Sequence, residues 1–164
     1  MRIYPGPANL LAMSTNTTGL DLTEEEIAAV QASIEEILPN GRVVSLTFYQ
    51  TLFQLDPKLA GLFHGDMVAM GQKFIDMLEF IAVHLSHPEV LVPAVEDLGI
   101  RHAGYRVRPE HYQTVCEALV RTLSAKLSPD MAERAVPAWG KTYAFLSETM
   151  IRAAEEASGD AAQA

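Results

Sequence analysis

The sequence holds a single cysteine, Cys116, so no disulfide can form within the chain. That thiol stands in phase with Tyr112, Leu119 and Leu123 on an apolar helical face, which suits a reducing compartment; the expectation is a cytoplasmic protein. Positive charge is scarce: 12 Lys and Arg against 21 Asp and Glu leave a formal net charge of −9. Binding nucleic acid requires clustered cations that displace counterions from phosphates, so that class of partner is set aside. No run of about eighteen uncharged apolar residues exists, so no membrane span is expected. The opening MRIYPGPANLLAMSTNTTG has one basic residue and a very short apolar stretch, unlike a secretory leader. HExxH, GxSxG, Walker and paired CxxC patterns are missing, which removes the common zinc, serine-hydrolase and nucleotide chemistries. Sustained period-two alternation and internal repeats are missing as well, which argues against sheets and solenoids.

What the chain does have is helical periodicity. Its 164 residues are 49% hydrophobic, enough for one core and too few for two ordinary domains. The reading is one domain over residues 22–156, a flexible arm over 1–21 and a disordered tail over 157–164. Thr23 followed by Glu26 is a capping-box pair, with Leu22 and Ile27 spaced for a hydrophobic staple. The first helix therefore starts at about residue 24, and Pro39-Asn40-Gly41 ends it. A second helix runs from Arg42 to Leu55, and Asp56 and Pro57 open a short one reaching Phe63. Asp66 caps a long helix to about Leu85, with Met70, Phe74, Met77, Leu78 and Ile81 on its apolar stripe. Further helices span Pro88 to near Gly104 and Pro109 to Leu127. Ser128-Pro129 starts a short turn or helix, and Pro137 is expected to restart the last helix, whose Trp139, Tyr143, Leu146 and Met150 face inward. The fold class is all-α.

His102 is the residue that most needs explaining. Leu98, Val95 and Leu91 stand four, seven and eleven positions before it, so its ring projects from an apolar stripe. An unpartnered imidazole there costs about 1–3 kcal/mol, relieved either by a hydrogen bond in the core or by a metal. The hydrogen-bonded core histidine is the commoner outcome for such a residue taken alone. Its company points to the metal: Phe48-Tyr49 inside TFYQTLF, then Asp56-Pro57, Leu62-Phe63, a Met-rich helix, His102, and His111-Tyr112. Each piece is weakly specific, but in this order and spacing the set resembles the globin family. The likeness is to single-domain bacterial haemoglobins and the globin portion of flavohaemoglobins, over roughly residues 23 to 153.

The resemblance implies a three-over-three globin fold, with helices crossing at about 50°, and haem b as cofactor. It makes His102 the proximal iron ligand, with a backbone carbonyl one turn earlier holding its second nitrogen. Phe63 becomes the haem-stacking ring, with Phe74, Leu98 and Val107 in the haem pocket. Tyr49 becomes the distal hydroxyl, whose donation to a partly anionic gas ligand is worth roughly 1.5–3 kcal/mol. Met70 stands thirty-two positions before His102, where relatives usually carry glutamine. Its thioether either forms an apolar wall or supplies a sixth ligand, and a shifted register would bring Gln72 there instead. His64 is a second candidate sixth ligand. Lys73 is placed to meet a haem propionate, with Arg101 and Arg106 as alternatives.

Tyr112 matches a tyrosine that acts in flavohaemoglobins with a glutamate on the last helix. The corresponding position here is Ala154, with Glu155 and Glu156 rotated from it by about 100° and 200°, so a weaker electron push on His102 is expected. The implied function is reversible binding of dioxygen, nitric oxide and carbon monoxide. Nitric oxide dioxygenase or weak peroxidase activity would be an extension, the former dependent on a separate reductase. The alternatives are a gas or redox sensor or electron-transfer protein with an internal sixth ligand, and a haem-free structural globin. The chain is expected to act as a monomer or homodimer.

Overall fold

The computed structural model describes residues 20–163, and its regular elements are all helical. They are α1 (Glu24–Ile37), α2 (Gly41–Leu55), α3 (Met67–His84), α4 (Pro88–Gly104), α5 (Pro109–Lys126) and α6 (Pro129–Gln163). Two 3-10 turns, Leu38–Asn40 and Pro57–Leu62, link α1 to α2 and α2 to α3.

The helix starts follow from local hydrogen bonding. Thr23 Oγ1 accepts from the Glu26 amide at 3.1 Å while the Glu26 carboxylate accepts from the Thr23 amide at 2.9 Å, closing the capping box. Leu22 is buried and Ile27 packs against the core beside it. Asp56 accepts from the Lys58 amide at 3.0 Å, and Asp66 from the Val68 amide at 2.8 Å. Each carboxylate satisfies an amide that the first turn leaves without a carbonyl.

Three expectations change. Pro137 does not restart a helix; it lies inside α6, which runs unbroken from Pro129. Ala135, Ala138, Trp139 and Thr142 are all buried on either side of it, so packing holds the helix across the missing amide. The presumed tail from 157 is helical to Gln163, its Ala-rich composition carrying the helix past Gly159. Residues 1–19 of the expected arm lie outside the described residues, but Leu20 is buried in the core cluster, so packing begins before residue 22.

The α4 helix packs chiefly on α6, α2 on α5, and α1 on α6, so α6 forms the spine of the core. Two crossings are set by glycine. A Cβ at Gly99 of α4 would lie 2.4 Å from the Met150 carbonyl oxygen of α6, and one at Gly71 of α3 would lie 2.6 Å from Ser45 Oγ of α2. At Gly99 two backbones approach as only glycine permits, and at Gly71 the Ser45 side chain fills the space a Cβ would need. Buried polar groups are satisfied within the core: Trp139 Nε1 donates to Ser33 Oγ at 2.9 Å, and Ser33 Oγ donates to the Val30 carbonyl at 2.6 Å. No buried side-chain nitrogen or oxygen among the described residues lacks a partner.

Candidate functional site

The helices enclose an apolar cavity of about 220 Å³. Its walls come from α2 (Phe48, Tyr49, Leu52), the 3-10 turn and its cap (Leu59, Leu62, Phe63), α3 (Phe74, Met77, Leu78, Ile81), α4 (Val95, Leu98, His102), α5 and α6. His102 lies in the last turn of α4 and is partly buried. Its Nδ1–H donates to the Leu98 carbonyl at 2.8 Å, one turn earlier. A carbonyl can only accept, so the proton of the neutral ring belongs on Nδ1 and the Nε2 lone pair is left without a described protein partner. Burial holds the imidazole below its ordinary pKa, helped by nearby Arg101 and opposed by the Leu98 bond. The neutral form is the one that can ligate a metal.

Tyr49 is buried in the opposite role, as a donor. Desolvation pushes its pKa up to about 12, so the phenol stays protonated. Its hydroxyl makes no hydrogen bond with any described residue. Because no fully buried polar atom is orphaned, that hydroxyl faces the open cavity. Aromatic rings hold it in place: Phe63 meets it edge-on at 5.4 Å between centroids, and Phe48, which stacks on Phe74 at 4.1 Å, meets it at 5.1 Å.

Phe63, Phe74, Leu98, Val107 and Tyr112 line the same cavity as His102 and Tyr49. Met70, Gln72, Lys73 and His64 do not. The tight contact of Gly71 with Ser45 turns Gly71, Phe74, Ile75 and Leu78 inward, leaving Met70 half-buried at the edge of that face and Lys73 exposed. Gln72 is exposed and tied to Asp76 at 2.7 Å, His64 is exposed, and Arg101 is paired with Asp97 at 3.1 Å.

The α5–α6 side of the cavity holds more than spacing suggested. Tyr143 donates its hydroxyl to the Tyr112 carbonyl at 2.7 Å, and burial raises the pKa of both phenols. Tyr112 also faces a second cavity, of about 290 Å³, whose wall includes Ala154 and Glu155. A carboxylate of α6 thus shares a chamber with Tyr112, although no hydrogen bond joins the two side chains. His111, named from the sequence only as the neighbour of Tyr112 and given no role, also lines the main cavity. Its Nδ1 accepts from the Arg108 amide at 3.0 Å, folding the ring back over the start of α5. Its position three residues after Arg108, at the third place of a helix opened by Pro109, was the available signal.

An all-helical fold thus encloses an apolar pocket into which an imidazole and a phenol both open. The Globin family pattern matches residues 46–150, and the chain belongs to the globin family. It is 31% identical over 134 residues to a flavohemoprotein of Vibrio cholerae, covering 79% of this chain and 34% of that one. A Deinococcus radiodurans flavohemoprotein is 28% identical over 133 residues, covering 79% and 33%. A globin-like protein of Aquifex aeolicus is 28% identical over 130 residues, covering 79% of this chain and 92% of that one. The chain therefore spans about a third of the length of the flavohemoproteins it matches. Among solved structures, an engineered carbene transferase based on RmaNOD of Rhodothermus marinus superposes with a TM-score of 0.75 at 26% identity, covering 86% of this chain and 99% of that one. The protein is a haem-binding globin of all-α fold, and no described helix is long and apolar enough to cross a membrane.

Proposed function

We propose that this globin holds haem b through His102 Nε2 and binds dioxygen, nitric oxide and carbon monoxide on the side of Tyr49. The observation that carries the reading is the pairing, in one apolar cavity, of an imidazole with its Nε2 lone pair unengaged and a protonated phenol with no protein acceptor. Both are polar atoms that an ordinary core would have satisfied. A bound haem supplies an iron centre that takes diatomic ligands when ferrous. The Leu98 carbonyl orients the ring, Phe63 and Phe74 would line a bound porphyrin and exclude water, and Tyr49 would donate to a gas ligand.

Met70 and His64 stand outside the cavity lining, which supports an open sixth position rather than an internal sixth ligand. Nitric oxide dioxygenation is the catalytic extension, with electrons drawn from a separate reductase of the flavoprotein kind. The test is an absorption spectrum of the hemin-reconstituted protein, reduced and under carbon monoxide. A broad single visible band in the reduced form is expected; split bands before gas is added would mean a sixth protein ligand. His102→Ala is expected to lose the proximal bond, and Tyr49→Phe to speed oxygen dissociation by about ten- to a hundredfold. An unchanged rate in Tyr49→Phe overturns the distal assignment, and no Soret band with excess hemin overturns the whole reading.

A further inference from the structure

We propose that the outer face formed by α2 and the first half of α3 is where a second copy of this chain docks, patch against patch about a two-fold axis. Val43 and Leu46 of α2 and Met67 and Val68 of α3 are 51%, 57%, 38% and 57% exposed, although each is large and apolar. Val43 and Leu46 stand three positions apart, on one side of α2. The tight meeting of Ser45 with Gly71 joins the two helices at this point; Leu46 follows the one residue and Val68 precedes the other by one turn, so the four side chains form one patch. Apolar side chains clustered in water mark a surface that something covers.

Charge identifies the occupant. The chain carries 21 Asp and Glu, yet none falls between Glu36 and Asp56 or between Asp66 and Asp76. Among the described helices α2 alone has no carboxylate, and α3 has none before Asp76. The charged side chains on this face are Arg42 and Lys73, both exposed and without an ion-pair partner among the described residues. Two lone cations on a molecule of net charge −9 attract an anionic surface weakly, whether lipid or protein, because the rest of the molecule repels it. A cationic partner is drawn instead to helices dense in carboxylates, such as α1. What this face matches is an uncharged apolar surface of the same outline, and a second copy presents one by symmetry. Any other approach of two copies sets carboxylate-bearing helices against each other.

The size of the face sets the strength of the contact. The 15 residues of α2 make a rod about 22 Å long, and two packed helices are about 20 Å across. An area of that order lies at the low end of specific interfaces, so the dimer is expected to dissociate in the micromolar range or above. The inner side of the same two helices carries Tyr49 and Phe74, so the interface covers the outside of the wall that holds the phenol. The inference stands whatever occupies the cavity.

The experiment is sedimentation equilibrium of the full-length protein as purified, up to hundreds of micromolar, in about 0.01 M and about 1 M sodium chloride. Between these conditions the Debye length falls from about 30 Å to about 3 Å, which removes the repulsion between two copies and keeps the apolar contact. Self-association should strengthen at least about tenfold with salt. Leu46→Ser combined with Val68→Ser, which leaves the net charge unchanged, should weaken it at least about tenfold. Val90→Ser, at a comparably exposed apolar residue of α4, should leave it unchanged. The double variant should melt with wild type, as exposed positions do; melting well below it would mean that these side chains belong to the core and overturns the assignment. A monomer at every concentration in high salt overturns the proposal. So does association that weakens with salt, which would mean that Arg42 and Lys73 pair with carboxylates of another face. Cosedimentation with vesicles of phosphatidylglycerol and phosphatidylcholine in equal parts, in place of self-association, assigns the face to lipid and overturns it as well.

Discussion

Gly99→Ala places one methyl group where two helices touch, and its cost follows from the geometry. The added carbon would sit 2.4 Å from the Met150 carbonyl oxygen, 2.5 Å from its Cα and 2.8 Å from its carbonyl carbon. All three are backbone atoms of α6, so no side-chain rotation relieves the clash. The α4 helix must retreat by about 1 Å to reach ordinary contact distance. Overpacking of a filled core costs about 1–3 kcal/mol, and the upper end applies where backbone must move. Alanine gains back about 1 kcal/mol over glycine in helix propensity, leaving a net loss near 2 kcal/mol. For a chain of this size that lowers Tm by about 4–8 °C. Gly99 precedes His102 by less than one turn, so the imidazole and the Leu98 carbonyl move with it, and weaker haem retention is expected alongside the lower Tm. Gly104→Ala, on the same helix with no atom within 4 Å of the added carbon, is the matched comparison and should not lower Tm. Calorimetry of both haem-free variants, with haem transfer from both loaded ones, checks the reasoning. It is refuted if Gly99→Ala melts at or above Gly104→Ala and holds haem equally well.

Further outcomes follow from the same structure. Tyr49 has its pKa raised from 10.0 to about 12 by burial, so between those values the unfolded chain releases a proton that the folded chain keeps. Stability should fall as pH rises through that window, and urea unfolding across it should show a shallower fall in Tyr49→Phe. Ser33→Ala strands the buried Trp139 Nε1 donor, at an expected cost of about 1–3 kcal/mol in the same assay. Thr23→Ala opens the α1 capping box and should cost about 1 kcal/mol, with faster amide exchange confined to the first turn of α1.

Much of the fold was legible because its signals are short-range. Thr23, Asp56 and Asp66 act on amides two or three residues away, and each starts its helix where spacing placed it. The phase of His102 with Leu98 was legible in the same way, since a ring and a carbonyl four residues apart on a helix meet without help from the rest of the molecule. Met70 and Phe74 also share a helical stripe, yet only Phe74 lines the cavity. The choice was made by Ser45 against Gly71, residues twenty-six positions apart that neither stripe contains. Pro137 failed as a stop signal for a similar reason: the burial of Trp139 and its neighbours outweighs one missing hydrogen bond.

The sequence by itself settled that this chain is helical, where most helices begin, and that His102 presents a nitrogen from an apolar face, because caps and periodicity act within one or two turns. Only the tertiary structure decided which residues share the pocket with that nitrogen, and that Glu155 and Tyr112 wall one chamber. Those facts depend on how far apart two helices sit and how each is turned about its axis. Both are set by contacts such as Gly99 on Met150 and Gly71 on Ser45, between positions too distant along the chain for any local pattern to encode.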